Sequence, residues 1–351
     1  MMKIFTAGLW FFGCLRCNGL AVPRWVKGAI KPMGRGAIKL TRLASTISLD
    51  EHLSRNVGDY VTVDLLIKEG GKPVETDFDQ GLIRFCVNGG GYHAAVHHLA
   101  SKLSEVGDAI TEVCSGGEYY PSATAEIPLQ SAPSGLKVGD AVKLSNGIRA
   151  RVTRTTESTI TIDANAPLAG KQLEISLVLR DKKPICSLSQ FTAACGCFWG
   201  IELALQRTEG VVFTSVGYTQ GSVESPGYEQ VCAGTTGHAE TVYSLYDPNL
   251  VSYSQLLDIV WARHDPTQRN QQGNDIGTQY RGGIYYHSEI QRQEAEQSMK
   301  REQTKYKAPL ATELKPFTKF WLAEAVHQQY LSRETGQSAS KRATDNIRCY
   351  G

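Results

Sequence analysis

Apolar and polar positions divide the chain into a strand-rich stretch and a later stretch in which strand and helix periods alternate. Val61-Thr-Val-Asp-Leu-Leu-Ile67 is dense in β-branched residues and predicts a strand, closed by the turn Glu69-Gly-Gly-Lys-Pro73. Leu82–Val87 predicts another, ending in Asn88-Gly-Gly-Gly91. From Tyr92 to Glu105 the period becomes helical, with Val96, Leu99, Leu103 and Val106 on one side. Beyond Gly135 the period returns to two. Ala141–Ser145 and Ile148–Thr153 flank Asn146-Gly147, a strong hairpin signal, and Ser158–Asp163 and Leu173–Leu179 alternate in the same way. The expectation is a small antiparallel sheet on one helix, closed by the linker Arg180-Asp-Lys-Lys-Pro184.

From about Ser187 the pattern changes. Strands are predicted at Gln190–Ala194, Val211–Val216, Thr241–Tyr246, Gln279–Tyr286 and Leu314–Phe317. Helices are predicted at Trp199–Gln206, after the capping signal Ser252-x-x-Gln255, after Ser288-x-x-Gln291, and at Leu322–Leu331. Such alternation predicts a two-layer α/β arrangement. The last segment, from Ser332 to Gly351, is polar and is expected to be mobile until something docks it.

A length of 351 residues accommodates two domains, and 41% hydrophobic with 21% charged residues describes a globular chain rather than a disordered or collagen-like one. The formal charge of +2 is unevenly spread: residues 1–48 hold eight Lys/Arg and no acid, leaving the remainder at −6. A mildly acidic body has no footprint for nucleic acid. Residues 1–48 read as a leader. Met1-Met-Lys3 with the apolar run Ile4–Leu15 and Gly19-Leu-Ala21 has signal-peptide form, and the basic stretch 22–48 has transit-peptide form. This two-part leader resembles those of plastid proteins in algae with complex plastids; a mitochondrial presequence is the alternative. No later stretch is apolar enough to suggest a membrane span. Of the nine cysteines, only Cys14 and Cys17 have Cys-x-x-Cys spacing, so the body lacks the pairs of a structural zinc site or a thioredoxin-type dithiol. His93, His97 and His98 lack a third ligand nearby and read as a helix surface rather than a metal site.

Candidate chemistry centres on Phe191-Thr-Ala-Ala-Cys-Gly-Cys-Phe-Trp-Gly200, read as a strand end, a turn at Gly196 and a helix start. A thiol at Cys197 would face free backbone N–H groups, which favours thiolate. A buried structural cysteine with a core Phe-Trp pair reads equally well from this stretch alone. Ser225–Cys232 leads into Gly237-His-Ala-Glu240, and Gly273-Asn-Asp-Ile-Gly-Thr-Gln-Tyr280 precedes another strand. If both strands share the sheet carrying Cys197, then Glu240, Tyr228, Asp275 and Tyr280 converge over the thiol. A carboxyl against an apolar wall can stay protonated near neutral pH and donate its proton.

Gly196-Cys-Phe-Trp-Gly200, Gly237-His-Ala-Glu240, Gly273-Asn-Asp-x-Gly-Thr-Gln-Tyr280 and His327-Gln-Gln-Tyr-Leu331 together resemble class A peptide-methionine sulfoxide reductases over residues 188–351. The resemblance implies that Cys197 attacks the sulfoxide sulfur of methionine-S-sulfoxide in oxidised proteins or peptides. It implies that Glu240, with Tyr228 and Tyr280, protonates the oxygen, that Phe198 and Trp199 hold the methyl group, and that Asp275 orients the site. It further implies a sulfenic acid resolved by Cys349 in the ending Ile347-Arg-Cys-Tyr-Gly351, thioredoxin as reductant, and neither metal nor organic cofactor. Cys195 is left without a role, and Cys232 reads as a packed structural thiol.

A second resemblance, to FKBP-type peptidyl-prolyl isomerases, rests on Gly135-Leu-Lys-Val-Gly-Asp140 and on Asp163–Leu173, chiefly Asn165, Pro167-Leu-Ala-Gly170 and Leu173. It spans roughly 58–180. Asp77-Phe-Asp79 and Tyr92 are loose counterparts of that family's pocket, so binding of prolyl or unfolded chains is the stronger implication and isomerase activity the weaker. The expected fold class is α+β in two domains: an FKBP-like antiparallel sheet with one helix and an inserted β flap, then a two-layer α/β sandwich with a mixed sheet. The expected boundaries are a leader at 1–48, the first domain at 49–180, a linker at 181–187, the catalytic domain at 188–331 and a mobile tail at 332–351. A monomer without stable membrane association is expected. The alternatives are a peroxidase-like thiol enzyme, or a chaperone or isomerase module with the reductase domain as passenger.

Overall fold

The computed structural model describes residues 48–74, 79–143, 149–166, 168–333 and 337–349, which form a mixed α+β protein with several sheets. The leader up to residue 47, Asp77-Phe78, the Asn146-Gly147 hairpin tip and Pro167 lie outside the described residues.

Helix α1 (Leu49–Asn56) opens the described chain, with the Ser48 hydroxyl accepting from Glu51 N at 3.4 Å. Strands β1 (Tyr60–Glu69), β2 (Lys72–Pro73), β3 (Gly81–Cys86), β4 (Ala109–Ser115) and β9 (Gln172–Lys183) form an antiparallel sheet in the order β2-β1-β9-β4, with β3 also paired to β1. Alternate residues Val61, Val63, Leu65 and Ile67 meet Leu173, Ile175, Leu177 and Leu179, and α2 (Ala94–Ser101) covers them with Val96 and Leu99. Burying each such side chain stabilises the fold by about 1.5–3 kcal/mol. Between β4 and β9, strands β5 (Thr124–Pro128), β6 (Ala141–Lys143), β7 (Arg149–Thr155) and β8 (Thr159–Asp163) make a separate four-stranded sheet with its own small core of Ile127, Val142, Val152, Ile160 and Ile162.

The α2 helix is shorter than its hydrophobic period suggests. His93 caps it, Nδ1 accepting from Ala95 N at 3.2 Å, and Val106 lies beyond its end, 67% exposed. His97 turns inward and its Nδ1 accepts from Asn88 N at 2.9 Å, which makes it a core residue rather than a surface one.

The expected linker is largely strand. Lys183, Lys182 and Asp181 stand opposite Tyr60, Val61 and Thr62 in the β1–β9 ladder, leaving only a short 3₁₀ turn at Ile185–Ser187 before the next strand. Charge misled the reading because this end of β9 carries its ionic side chains outward, where Arg180 Nε donates to Asp64 at 2.6 Å.

The second sheet is mixed and six-stranded. It is built from β10 (Ser189–Cys195), β11 (Val211–Thr219), β12 (Ala239–Tyr246), β15 (Gly282–Tyr286), β16 (Glu313–Pro316) and β17 (Trp321–Leu322), in the order β16-β15-β10-β12-β11-β17, with β15 and β16 parallel. A two-stranded ribbon, β13 (Gln271–Gln272) and β14 (Asp275–Ile276), sits beside it. Helices α3 (Phe198–Gln206), α5 (Tyr253–Arg263) and α6 (Glu289–Gln303) pack on this sheet and on one another, α4 (Tyr228–Cys232) and α7 (Tyr330–Arg333) being short. Both capping signals operate: Ser252 and Ser288 accept from Gln255 N and Gln291 N, each at 3.2 Å.

The two parts share a core. Leu49, Tyr60 and Cys86 cluster with Val212, Phe213, Tyr243, Leu245, Phe320 and Leu322. Tyr60 Oη donates to Asp247 at 3.3 Å and Arg84 pairs with Glu209 at 2.9 Å.

Two expectations for the C-terminal region need correction. Leu322–Leu331 is not a helix. Gln328 Oε1 accepts from Ser215 Oγ at 2.9 Å and Val216 N at 3.0 Å, while its Nε2 donates to Val216 O and Ala323 O, so the segment is pinned flat on β11. Gln329 then takes a left-handed conformation, φ 56°, and only Tyr330–Arg333 is helical. The tail is also docked where mobility was expected. Lys341 Nζ donates to the carbonyls of Gln206, the last residue of α3, of Thr208 in the turn that follows, and of Val211 at the start of β11, so it satisfies one group the helix leaves free and ties the helix end to the next strand. Arg207 donates to Ser338 O at 2.8 Å and to Asp345, and Asp79, from the first part of the chain, accepts from Ser340 Oγ and from Lys341 N at 2.8 Å. Composition alone does not show these partners, because each is remote in sequence.

Candidate active site

Strand β10 delivers Cys195 and then turns sharply at Gly196, whose φ of 77° suits glycine; a Cβ there would lie 2.6 Å from Gln272 Cβ. Cys197 follows as the N-cap residue of α3. The adjoining strand β12 places Glu240 beside the helix start, where its Oε2 accepts from Phe198 N at 3.3 Å. Glu240 is 1% exposed, and burial, followed by the nearby Asp275, raises its carboxyl to about 8 while the Phe198 N–H opposes the rise. It is therefore mostly a neutral acid at pH 7.

The Cys197 thiol departs from its expectation. Burial and the Glu240 charge hold it well above the usual thiol range, with only the Trp199 backbone N–H pulling it down appreciably. The helix start acts in the foreseen direction, but desolvation outweighs it. The resting pair is a thiol beside a carboxylic acid.

Tyr228 and Tyr280 are both raised first by burial; the hydrogen bond to Cys232 comes next at Tyr228 and the Glu240 charge next at Tyr280, with Glu240 also acting on Tyr228, so both remain phenols. Asp275 acts on Cys197, Glu240 and Tyr280 alike, which places its carboxyl within electrostatic reach of all three. Tyr228 also hydrogen-bonds to the side chain of Cys232, which is exposed rather than packed. The five polar residues singled out in the sequence thus converge, brought together by the neighbouring strands β10 and β12, by the short α4 and by the β14 loop.

Phe198 and Trp199 form an apolar wall, but they do not act alone. His327 stands 5.5 Å from Phe198, 5.9 Å from Trp199 and 4.5 Å from Tyr228, centroid to centroid, and Tyr330 stacks on Trp199 at 4.0 Å. Glu324 braces the phenols: it accepts from Tyr218 Oη and from Tyr228 N, both at 2.9 Å. Reading His327-Gln-Gln-Tyr330 as a helix hid these contacts; the aromatic spacing within it was the available signal.

Glu202, on α3, has no expected role yet is completely buried. Its Oε2 accepts from Gln329 N at 2.9 Å and its Oε1 from Thr214 Oγ1 at 3.2 Å, and burial raises it to about 8. Between its ordinary value of 4.5 and that raised value, the folded chain holds a proton that the unfolded chain has lost, so stability falls as pH rises. Glu202→Gln keeps a carbonyl to accept from Gln329 N and puts an amide N–H2, able to donate to a turned Thr214 hydroxyl, in place of the other oxygen, without the titration. Urea unfolding at pH 7 and pH 8, above the ordinary histidine range, is expected to show a shallower pH dependence in the variant, by up to roughly 1.4 kcal/mol per pH unit. An unchanged slope would mean that Glu202 is not the titrating group.

Cys349 sits over the first turn of α3. A Cβ at Gly200 would collide with its Sγ, and Arg263 Nη2 reaches that sulfur at 3.6 Å. Cys197 and Cys195 both feel its charge. Cys195 itself is buried, its thiol pushed up to about 12. Among the described residues, no group of three or more His, Cys, Asp or Glu side chains could hold a metal, and no helix is long and apolar enough to cross a membrane.

A half-buried thiol next to a neutral carboxylic acid, two phenols and an aromatic wall has the parts of a thiol-dependent oxidoreductase acting on a small group with a polar oxygen. The family model and the sequence relatives agree. Residues 189–348 match the family model described as peptide methionine sulfoxide reductase. Peptide methionine sulfoxide reductase A3 of Arabidopsis thaliana is 52% identical over 167 residues, covering 46% of this chain and 82% of its own. The chloroplastic A4 protein of the same plant is 51% identical over 167 residues, covering 46% of this chain and 64% of its own. Methionine sulfoxide reductase A of Corynebacterium diphtheriae, a solved structure, is 33% identical, covers 46% of this chain and 82% of its own, and overlays with a TM-score of 0.42. The chain belongs to the peptide methionine sulfoxide reductase family.

Proposed function

We propose that this protein reduces methionine-S-sulfoxide, in proteins and as the free amino acid, through a cysteine sulfenic acid. The observation that carries the reading is the Glu240 carboxyl, neutral near pH 7 and hydrogen-bonded to the residue that follows the Cys197 thiol. Cys197 attacks the sulfoxide sulfur as thiolate. Glu240 gives its proton to the oxygen as negative charge develops there, with the Tyr228 and Tyr280 hydroxyls as further donors. Phe198 and Trp199, backed by His327 and Tyr330, hold the methyl group, and Asp275 orients the polar side of the site. The methionine S–O bond and the new S–S bond then break as the hydroxyl passes to the Cys197 sulfur, which releases methionine and leaves Cys197 as sulfenic acid. Cys349 attacks that sulfur, water departs and a disulfide forms. A thioredoxin-type dithiol then returns both thiols by disulfide exchange.

A peroxidase would pass through the same sulfenic acid. Turnover of the S and R epimers of a methionine sulfoxide peptide, set beside hydrogen peroxide, separates the two. The S epimer is expected to be strongly preferred. Equal use of both epimers, or faster use of peroxide, would defeat the reading.

The first part of the chain is proposed to be an FKBP-like domain with an inserted β flap. The helix-covered five-stranded sheet and the separate flap sheet support that reading. Its suggested task is to bind unfolded or prolyl chains near the reductase site. A prolyl-peptide isomerisation assay and a comparison of oxidised unfolded protein with oxidised free amino acid test it; no preference for the unfolded protein removes the binding role. Plastid import of a chain that acts as a monomer completes the proposal, supported by the acid-free basic residues 1–48 and by the chloroplastic relative.

A further inference from the structure

We propose that Arg263 activates Cys349 for the step that resolves the sulfenic acid. The inference deepens the reading of Cys349 as the resolving thiol and rests on it. Arg263 is the last residue of α5, where a cation also complements the helix dipole. Its Nη2 lies 3.6 Å from Cys349 Sγ, in hydrogen-bond range for sulfur, and its Nε has no hydrogen-bond partner among the described residues. Gly200 makes the approach possible: a Cβ at that position would run into Cys349 Sγ and would stand 2.8 Å from Arg263 Nη2. The thiol and the guanidinium are thus brought together over the helix turn that follows Cys197.

The charges around Cys349 oppose one another. Burial raises its thiol most, Arg263 lowers it through its charge and its hydrogen bond, and Asp275 raises it. Among the described residues, the thiols of Cys197 and Cys195 also interact with Cys349, and Arg263 lowers Cys195 as well. Without the guanidinium nothing among these groups would favour a thiolate. A thiol attacks as thiolate, so the guanidinium sets the fraction of Cys349 able to react near neutral pH.

The step balances. Cys349 loses its proton and its sulfur bonds to the Cys197 sulfur; the S–O bond of the sulfenic acid breaks, and the oxygen leaves as water with that proton. Cys349 is oxidised, the Cys197 sulfur is reduced, and no other oxidant or reductant takes part.

The test uses the full chain in single-turnover experiments with a methionine sulfoxide peptide and no external reductant. Methionine release reports the first step, a 1,3-diketone probe traps the remaining sulfenic acid, and peptide mapping reports the disulfide. Arg263→Gln is expected to slow disulfide formation at pH 7 about tenfold, prolong the trappable sulfenic acid and shift the pH profile of that step alkaline by about one unit. Methionine release should change far less, and Arg263→Lys should recover much of the loss. A resolving-step pH profile that does not move, or a loss shared equally by methionine release, overturns the inference while the reading of Cys349 stands. A disulfide that omits Cys349 overturns both.

Discussion

Glu240→Gln is expected to cut the single-turnover rate of methionine formation at pH 7 by about 10²–10⁴-fold, the range for loss of a positioned proton donor. The substitution keeps a carbonyl for the Phe198 N–H, so the helix start should hold its place. The pH dependence is the sharper signature. Glu240 at about 8 gives up its proton before Cys197, so the productive form has lost one proton from the pair and kept the other on the carboxyl. The wild-type rate should climb towards about pH 8 and then level off. In the variant nothing titrates there, and the rate should keep climbing with the Cys197 thiolate, narrowing the gap. A variant within tenfold of wild type, or one that still levels near pH 8, would remove Glu240 from the acid role.

Cys349→Ser is expected to permit one methionine per protein molecule and then stop, because the sulfenic acid on Cys197 has lost its partner thiol. Steady-state cycling with a dithiol protein reductant should fall to near zero while the first turnover remains. Cys195 is a poor substitute, since a ring through Gly196 would be strained and its thiol is pushed up to about 12. Undiminished cycling in the variant would transfer the resolving role to Cys195, to Cys232 or to direct attack by the reductant.

These effects follow from groups the sequence announced unequally. Cys197, Glu240, Tyr228, Asp275 and Tyr280 were legible because each lies at a strand end, a helix start or a connecting turn, where polar and aromatic residues interrupt an apolar period. Local capping chemistry was equally legible at Ser252 and Ser288. Ser48-Leu-Asp-Glu51 carries a similar signal for α1, the Ser48 hydroxyl accepting from Glu51 N. What stayed hidden depends on distant partners. Gln328 forms its bonds with Ser215 and Val216, more than a hundred residues away in sequence, and these defeat the helical period of its segment. Lys341 reads as a surface charge until the three carbonyls between the end of α3 and the start of β11 are in view. Asp79 reads in the sequence as part of a loose counterpart of an isomerase pocket, yet it accepts from Ser340 and Lys341 in the tail that carries Cys349. The strength of desolvation at Cys197 was hidden for a related reason: a helix N-terminus is visible in sequence, but the depth of its burial is not.

The account stands on Cys197 as nucleophile and Cys349 as its partner, and peptide mapping of the full chain after one turnover without reductant tests both. One methionine should be released per protein molecule, with a new disulfide joining Cys197 to Cys349. Methionine released with Cys197 still a free thiol, or a disulfide that leaves Cys197 out, would contradict it.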